Sequence, residues 1–267
     1  MSHRPCVLVF AGADPSGGAG IAADIGAIAA LDAHPLPVIT ALTVQDNNRV
    51  HEVLPVEHDV VLRQALAVTA AFRVGAVKIG IPGNVENAQA IARVIAGLRE
   101  EDPALPVVLD PVLASGNGDR LGKGNAIAAL APLLPLTTVI TPNGPEAAAL
   151  AKAHREDIPP PASDVAELAH AQVLRQTGCE HVLVTGGHAG GTSVVNRWLG
   201  PARQQNWHWP RLEGGFHGSG CTLAAAIAAL LAQQCPVAQA LARAQAYTHR
   251  TLEASYAIAT GQRIPLR

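Results

Sequence analysis

The chain has 267 residues, 49% hydrophobic and 15% charged, with a formal net charge of −2; this is enough apolar material for one large buried core, expected as a single domain over residues 1–267. Such a charge balance offers no basic stripe for nucleic acid and no polybasic patch for a membrane surface, so neither partner is expected. Four cysteines, Cys6, Cys179, Cys221 and Cys235, make neither a CxxC pair nor a zinc-type Cys/His spacing, and neither a signal peptide nor a membrane-spanning stretch is read, which points to a reduced, cytoplasmic protein.

Short apolar runs predict strands at residues 7–11, 37–43, 76–79, 107–109, 139–141 and 181–184. Between them, Ala-rich stretches predict helices at 18–31, 59–72, 85–98, 125–131, 144–153 and 164–177. This alternation reads as βα units building a mostly parallel sheet, and the scarcity of aromatics suits close-packed helices on buried strands. After the sixth strand the pattern changes to a β-hairpin, 192–199 and 203–209, split by Gly200-Pro201. Two long helices, 219–234 and 237–256, close the chain, with Pro236 placed where its missing N–H is harmless. The proline-rich piece at 158–163 has the length of an ordinary loop within one domain, and Ser163 is a plausible cap for the helix after it.

Polar and glycine-rich residues gather where the strands end. The first strand runs into Gly12-Ala13-Asp14-Pro15-Ser16-Gly17-Gly18-Ala19-Gly20, which satisfies neither the GxGxxG nor the P-loop spacing yet permits close approach of backbone to a ligand. After the second strand comes Gln45, whose amide both donates and accepts, as an aminopyrimidine-like edge requires; on the residues alone a turn made of Asn and Asp is the better reading of this cluster, Gln45-Asp46-Asn47-Asn48. Lys78 closes a buried strand and needs either a carboxylate or an anionic ligand. Asp110 and Glu146 emerge on one rim and offer oxygen ligands of the kind Mg²⁺ takes, although helix capping alone accounts for Asn143 and Glu146. The sixth strand ends in another glycine turn, Thr185-Gly186-Gly187-His188.

The densest signal is Phe216-His217-Gly218-Ser219-Gly220-Cys221-Thr222, opening directly onto a run of helix formers. Amides of Gly218, Ser219 and Gly220 at a helix N-terminus make an anion hole, with phosphate the usual occupant. Cys221 lies in the first helical turn, where the helix dipole favours its thiolate; core packing is the other reading. His217 is by default a surface-loop histidine. Together these clusters form a kit for phosphoryl transfer, in which positioning and charge neutralisation do most of the work.

With AGADPSGGAGIAAD at 11–24, VITALTVQ at 38–45, VKIG at 77–80, LDPVL at 109–113, ITPNGPEAAAL at 140–150, VTGGH at 184–188 and HGSGCT at 217–222, the chain resembles the hydroxymethylpyrimidine/phosphomethylpyrimidine kinases of thiamin biosynthesis, in the ribokinase-like superfamily. That resemblance implies an α/β fold, a ribokinase-like three-layer αβα sandwich with a mostly parallel central sheet and a C-terminal anion-hole helix. It implies ATP and Mg²⁺, two successive phosphorylations, and a homodimer. Gly12, Asp24 and Gln45 would line the pyrimidine pocket, and Asn143, Glu146, Lys78, Thr185 and Gly187 the ATP phosphates. Asp110 and Glu146 would hold the metal, while Gly218, Ser219, Gly220 and Cys221 would surround the transferring phosphoryl group. The chain departs from the family pattern at Thr185, where KGGH is usual, at Ile81-Pro82, where KIGML is common, and in the turn after Gln45. Two alternatives stay open: a pyridoxal or pyridoxine kinase of the same superfamily, and a pyrimidine-binding protein that has lost catalysis.

Overall fold

The computed structural model describes residues 3–114, 118–119, 125–158 and 164–267. In chain order its elements are β1 (Cys6–Ala13), α1 (Gly20–Ala30), β2 (His34–Gln45), β3 (Val50–Pro55), α2 (His58–Thr69), β4 (Val74–Ile79), α3 (Val85–Glu101), β5 (Val107–Leu109), α4 (Ala126–Leu130), β6 (Val139–Ile140), α5 (Gly144–His154), α6 (Asp164–Gln176), β7 (His181–Val184), β8 (Ser193–Leu199), β9 (Gln204–Pro210), α7 (Ser219–Ala232) and α8 (Val237–Glu253). The strands form one sheet in the order β3-β2-β1-β4-β5-β6-β7-β8-β9. From β2 to β7 every pairing is parallel, and antiparallel strands finish both edges, β3 on β2 and the β8–β9 hairpin on β7.

The period-two alternation of buried strands sorts the core into two layers. On one face Leu8, Phe10, Val77, Ile79 and Leu109 pack against α2 to α6, through residues such as Val61, Ile91, Leu150 and Leu174. On the other, Val7, Val9, Ala11, Ala76 and Val108 pack against α1, α7 and α8. The result is a three-layer αβα sandwich. The α7 helix is buried along almost its whole length because its face is alanine and leucine all round, which lets it lie against both the sheet and its neighbours α1 and α8.

The predicted strands and helices recur with small shifts at their ends, and the predicted hairpin is β8–β9. Asn125 caps α4 by accepting the amides of Ile127 and Ala128. The expected loop at 159–163, including the cap at Ser163, lies outside the described residues. One strand was not expected: β3 returns along β2 after a tight turn in which the Asp46 amide donates to the Arg49 carbonyl and the Asp46 carboxylate accepts the amides of Asn48 and Arg49. The chain moves outward from β1 to β2 and β3, then crosses back to β4 on the other side of β1. This reversal between β1 and β4 opens a crevice at the carboxyl ends of the strands, where open α/β sheets bind ligands.

Candidate active site

A cavity of about 490 Å³ occupies that crevice. Strand ends supply its floor and walls: Gly12 from β1, Thr43 and Gln45 from β2, Lys78 at the end of β4, and Asp110, Asn143 and Thr185 just beyond β5, β6 and β7. The glycine loop and the start of α7, Gly214–Cys221, form the opposing side.

The first loop is organised by Asp14. Its Oδ1 accepts the Ser16 amide at 2.8 Å, and its Oδ2 accepts the Ala19 amide at 2.7 Å and the Ser16 hydroxyl at 2.9 Å. The same Oδ2 lies 2.8 Å from His217 Nε2. An ionised carboxylate only accepts, so the His217 proton sits on Nε2. Burial acts to raise the Asp14 carboxyl, but hydrogen bonds from His217, from the Ser16 hydroxyl and from the amides of Ser16 and Ala19 outweigh it and hold the group well below the usual carboxylate range. The expectation of a surface-loop histidine is therefore corrected: His217 joins the two glycine loops, and Gly18 has no room for a Cβ because the His217 ring covers it. Gln45 approaches the same imidazole nitrogen at 3.4 Å, which sets its amide at the edge of the cavity.

Gly218 caps α7 at φ 80°, and the helix has no side-chain cap. A Cβ at Gly218 would collide with the Gly18 carbonyl, so only glycine brings the loops this close. Uncapped, the first amides of α7 are left for a ligand. This first turn adjoins Asp110: a Cβ built on Gly220 would stand 3.6 and 3.7 Å from its two carboxylate oxygens.

Beneath this surface lies a compact charge cluster. Lys78 Nζ donates to Asp24 Oδ2 at 2.8 Å, and both side chains are 0% exposed. The expectation that Asp24 lines the pocket with Gly12 and Gln45 is corrected, since its carboxylate lies below the cavity against Lys78. Lys78, expected against phosphate, borders the cavity with its charge already matched by Asp24. Burial pushes Asp24 up to about 6 against the attraction of Lys78. Lys78 is shifted upward as well: burial acts to lower it, and the negative groups around it, Asp24 first, prevail.

Cys221 also departs from its expectation. Although part of the residue borders the cavity, burial pushes its thiol up to about 12; Lys78 opposes this, and the carboxylates of Asp110 and Asp24 add to it. The helix N-terminus does not yield a thiolate here. The neutral thiol instead donates toward Asp110, whose carboxyl is raised by burial and lowered by Lys78 and by that hydrogen bond.

Asn143 and Glu146 form a complete capping box at the start of α5, each side chain accepting the other's amide at 2.9 Å. Thr185 lies beside them, its amide bonded to the Pro142 carbonyl and its backbone bridged to Asn143. Burial pushes Glu146 up to about 7, with the nearby Asp110 charge adding to the rise. One oxygen of Asp110, Oδ2, is buried without a partner. Two desolvated carboxylates, Asp110 raising Glu146 and bearing an orphaned oxygen of its own, suit a hard divalent cation such as Mg²⁺, which takes one or two carboxylates and completes its shell with phosphate and water.

Several residues at the cavity have no local sequence signal. Arg267 donates to the Gly18 carbonyl at 2.6 Å and to Thr222 Oγ1 at 2.8 Å, clamping both glycine loops from behind. Arg211, just past β9, borders the cavity beside the turn after β7. At that end Gln245 accepts from Asn196 at 2.9 Å and from the Trp209 indole at 3.2 Å, and Trp209 lies 5.1 Å from the His249 ring. The β8–β9 hairpin and α8 bring these residues together from separate parts of the sequence.

Residues 14–266 match the family described as phosphomethylpyrimidine kinase. The chain is 38% identical over 258 residues to the hydroxymethylpyrimidine/phosphomethylpyrimidine kinase of Rhizobium meliloti, covering 96% of this chain and 93% of the relative. Its counterpart in Escherichia coli is 37% identical, over 84% of this chain and 81% of the relative. Among solved structures, an ADP complex of Bacillus subtilis pyridoxal kinase superposes with a TM-score of 0.87 at 25% identity, covering 98% of this chain and 97% of that one. A phosphomethylpyrimidine kinase from Clostridium difficile superposes with a TM-score of 0.76 at 29% identity, over 94% and 99% of the two chains. A family match over residues 14–266, a shared sandwich and identity sustained over 96% of the sequence place this chain in the phosphomethylpyrimidine kinase family.

Proposed function

We propose that the protein phosphorylates 4-amino-5-hydroxymethyl-2-methylpyrimidine and then its monophosphate, with ATP as donor, in thiamin biosynthesis. The observation that carries this is the uncapped N-terminus of α7 set beside Asp110 in the crevice at the strand reversal. Gly12 and Gln45 border one end of that crevice, where a flat aminopyrimidine fits, and Asn143, Glu146, Thr185 and Gly187 border the other, toward the nucleotide. Amides of Ser219, Gly220 and Cys221 stabilise the charge that develops on the transferring phosphoryl group. Asp110 and Glu146 would hold Mg²⁺, which, when bound, supplies neutralisation of the phosphate charge. Cys221, as a neutral thiol, holds its proton toward Asp110 and fills the wall beside the reacting oxygen.

One continuous sheet built from both ends of the chain supports a single kinase domain. Four free thiols support a cytoplasmic setting, and no helix among the described residues is long and apolar enough to cross a membrane. A homodimer is supported by the outer face of the β2–β3 edge, where Leu42, Val44 and Leu54 are 51%, 49% and 39% exposed and Leu42 and Leu54 are cross-strand partners.

A second reading, phosphorylation of pyridoxal, is favoured by the higher TM-score to a pyridoxal kinase. The higher sequence identity to pyrimidine kinases weighs against it. ADP release measured side by side with the hydroxymethylpyrimidine, its monophosphate and pyridoxal decides between them. Turnover of both pyrimidines is expected, and turnover of pyridoxal alone would reject the first reading.

A further inference from the structure

An ATP triphosphate brings several negative charges into a cavity whose own rim already carries Asp14, Asp110 and Glu146. A divalent cation held by Asp110 and Glu146 would offset part of that charge, and a cationic side chain on the protein would offset more. Among the described residues bordering the cavity, Lys78 and Arg211 are the two with a permanent positive charge. Lys78 is taken, fully buried and bonded to Asp24 at 2.8 Å. Thr185 leaves the turn after β7 without a cation of its own.

Arg211 lies over that turn. Its guanidinium donates to the carbonyls of Gly191 at 2.7 Å and Gly187 at 2.8 Å, and also to those of Ala189, Gly186 and Ser193. All of these acceptors are backbone oxygens, which carry no formal charge, so the +1 of Arg211 is not cancelled. The same bonds draw the carbonyl dipoles of the turn onto the guanidinium, where they would otherwise repel an anion. A net cation and a turn stripped of outward carbonyls thus coincide at the end of the cavity opposite Gln45.

Building on the reading of this cavity as an ATP site, we infer that Arg211 provides the positive charge that holds the nucleotide's terminal phosphates at the Thr185–His188 turn. A side chain reaching over from the end of β9 takes the part that a lysine at position 185 would play. Because the guanidinium is committed to the turn, it acts as a fixed charge and a positioning group.

Calorimetric titration with the β,γ-methylene analogue of ATP and with adenosine tests this on the intact protein. Arg211→Met is expected to weaken the analogue by about tenfold or more and to leave adenosine within about twofold, because only the phosphates sense the lost charge. Adding Thr185→Lys to Arg211→Met is expected to restore most of the loss. Unchanged analogue binding in Arg211→Met overturns the inference. So does a loss that adenosine shares or that Thr185→Lys fails to rescue, since either result reduces Arg211 to a structural pin. If Arg211→Met does not fold, Arg211→Gln, which keeps donors for the carbonyls without the charge, takes its place with the same expected outcomes. A wild-type protein that binds neither probe rejects the ATP-site reading itself, a result distinct from failure of the Arg211 assignment.

Discussion

His217 Nε2 stands 2.8 Å from Asp14 Oδ2 across 203 residues of sequence. Through this contact the loop after β1 and the loop before α7, which border the same cavity, behave as one piece. Arg267 closes the same junction from behind by bonding Gly18 and Thr222. Neither loop has regular structure of its own, so their relative placement rests on these long-range polar contacts and on the absence of side chains at Gly18 and Gly218.

Asp14→Asn is expected to cost about 2 kcal/mol at neutral pH, since hydrogen bonds to a charged acceptor are the stronger kind. The pH dependence has a definite sign. Asp14 is held below its ordinary range in the folded protein, so its contribution is complete above about pH 4 and is lost as pH falls further toward its folded value. Urea unfolding from pH 7 down to pH 3 should show a falling limb in the wild type that is shallower in Asp14→Asn. Parallel limbs in the two proteins would remove Asp14 from this role.

Lys78→Met should be among the most damaging single changes, because it strands the Asp24 carboxylate at 0% exposure. Removing one member of a buried ion pair typically costs about 3 to 5 kcal/mol. Asp24→Asn placed on top of Lys78→Met is expected to recover much of that loss, as the double variant no longer strands a charge at position 24. Thermal unfolding of the three variants reads this directly, and additive losses in the double variant would contradict it.

The sequence-level reading located the rim of the site because strand ends and helix starts are marked locally by Gly12-Ala13-Asp14, Asn143-Gly144-Pro145-Glu146 and His217-Gly218-Ser219-Gly220. The capping box at Asn143 is an instance: its two partners are three residues apart, so both fall within one local window. β3 escaped notice because Val50–Pro55 is short, carries His51 and Glu52, and is a strand only by virtue of pairing with β2. Arg211 and Arg267 are ordinary arginines until the fold brings them to carbonyls more than a dozen or more than two hundred residues away. The protonation of Cys221 is likewise set by distant groups. The helix N-terminus is a local feature, but the burial and the two carboxylates that oppose a thiolate arrive from β5 and α1.

Gly218→Ala should abolish phosphoryl transfer while costing about 1 to 3 kcal/mol of stability, since φ is 80° and the added methyl meets the Gly18 carbonyl. The loops must part to admit it, which moves the α7 amides away from Asp110. Gly187→Ala is the contrasting case, bordering the same cavity with open space for a Cβ and no loop junction to part, and is expected to lose less activity than Gly218→Ala. Comparable losses in the two variants would show that bulk anywhere on the rim, and not the junction of the loops, is what matters.

Cys221 offers the sharpest chemical test. With its thiol pushed up to about 12, the thiolate is a vanishing fraction at pH 7.5, and alkylation rates follow the thiolate. Iodoacetamide followed by mass spectrometry should therefore label Cys221 slowly at pH 7.5, and Lys78→Met should not accelerate it, because the lysine is the group that pulls the thiol downward. The consequence for catalysis separates the two phosphorylations. A hydroxymethyl group enters with a proton that must leave, whereas the monophosphate is already largely ionised and needs no base. If the thiol takes part in moving that proton, Cys221→Ala slows the first reaction more than the second; if it only fills the wall beside the reacting oxygen, both fall together. With the thiol neutral in the ground state and a loose phosphoryl-transfer transition state that asks little of a base, a first-step loss of no more than about tenfold beyond the second is expected, measured as kcat on each substrate.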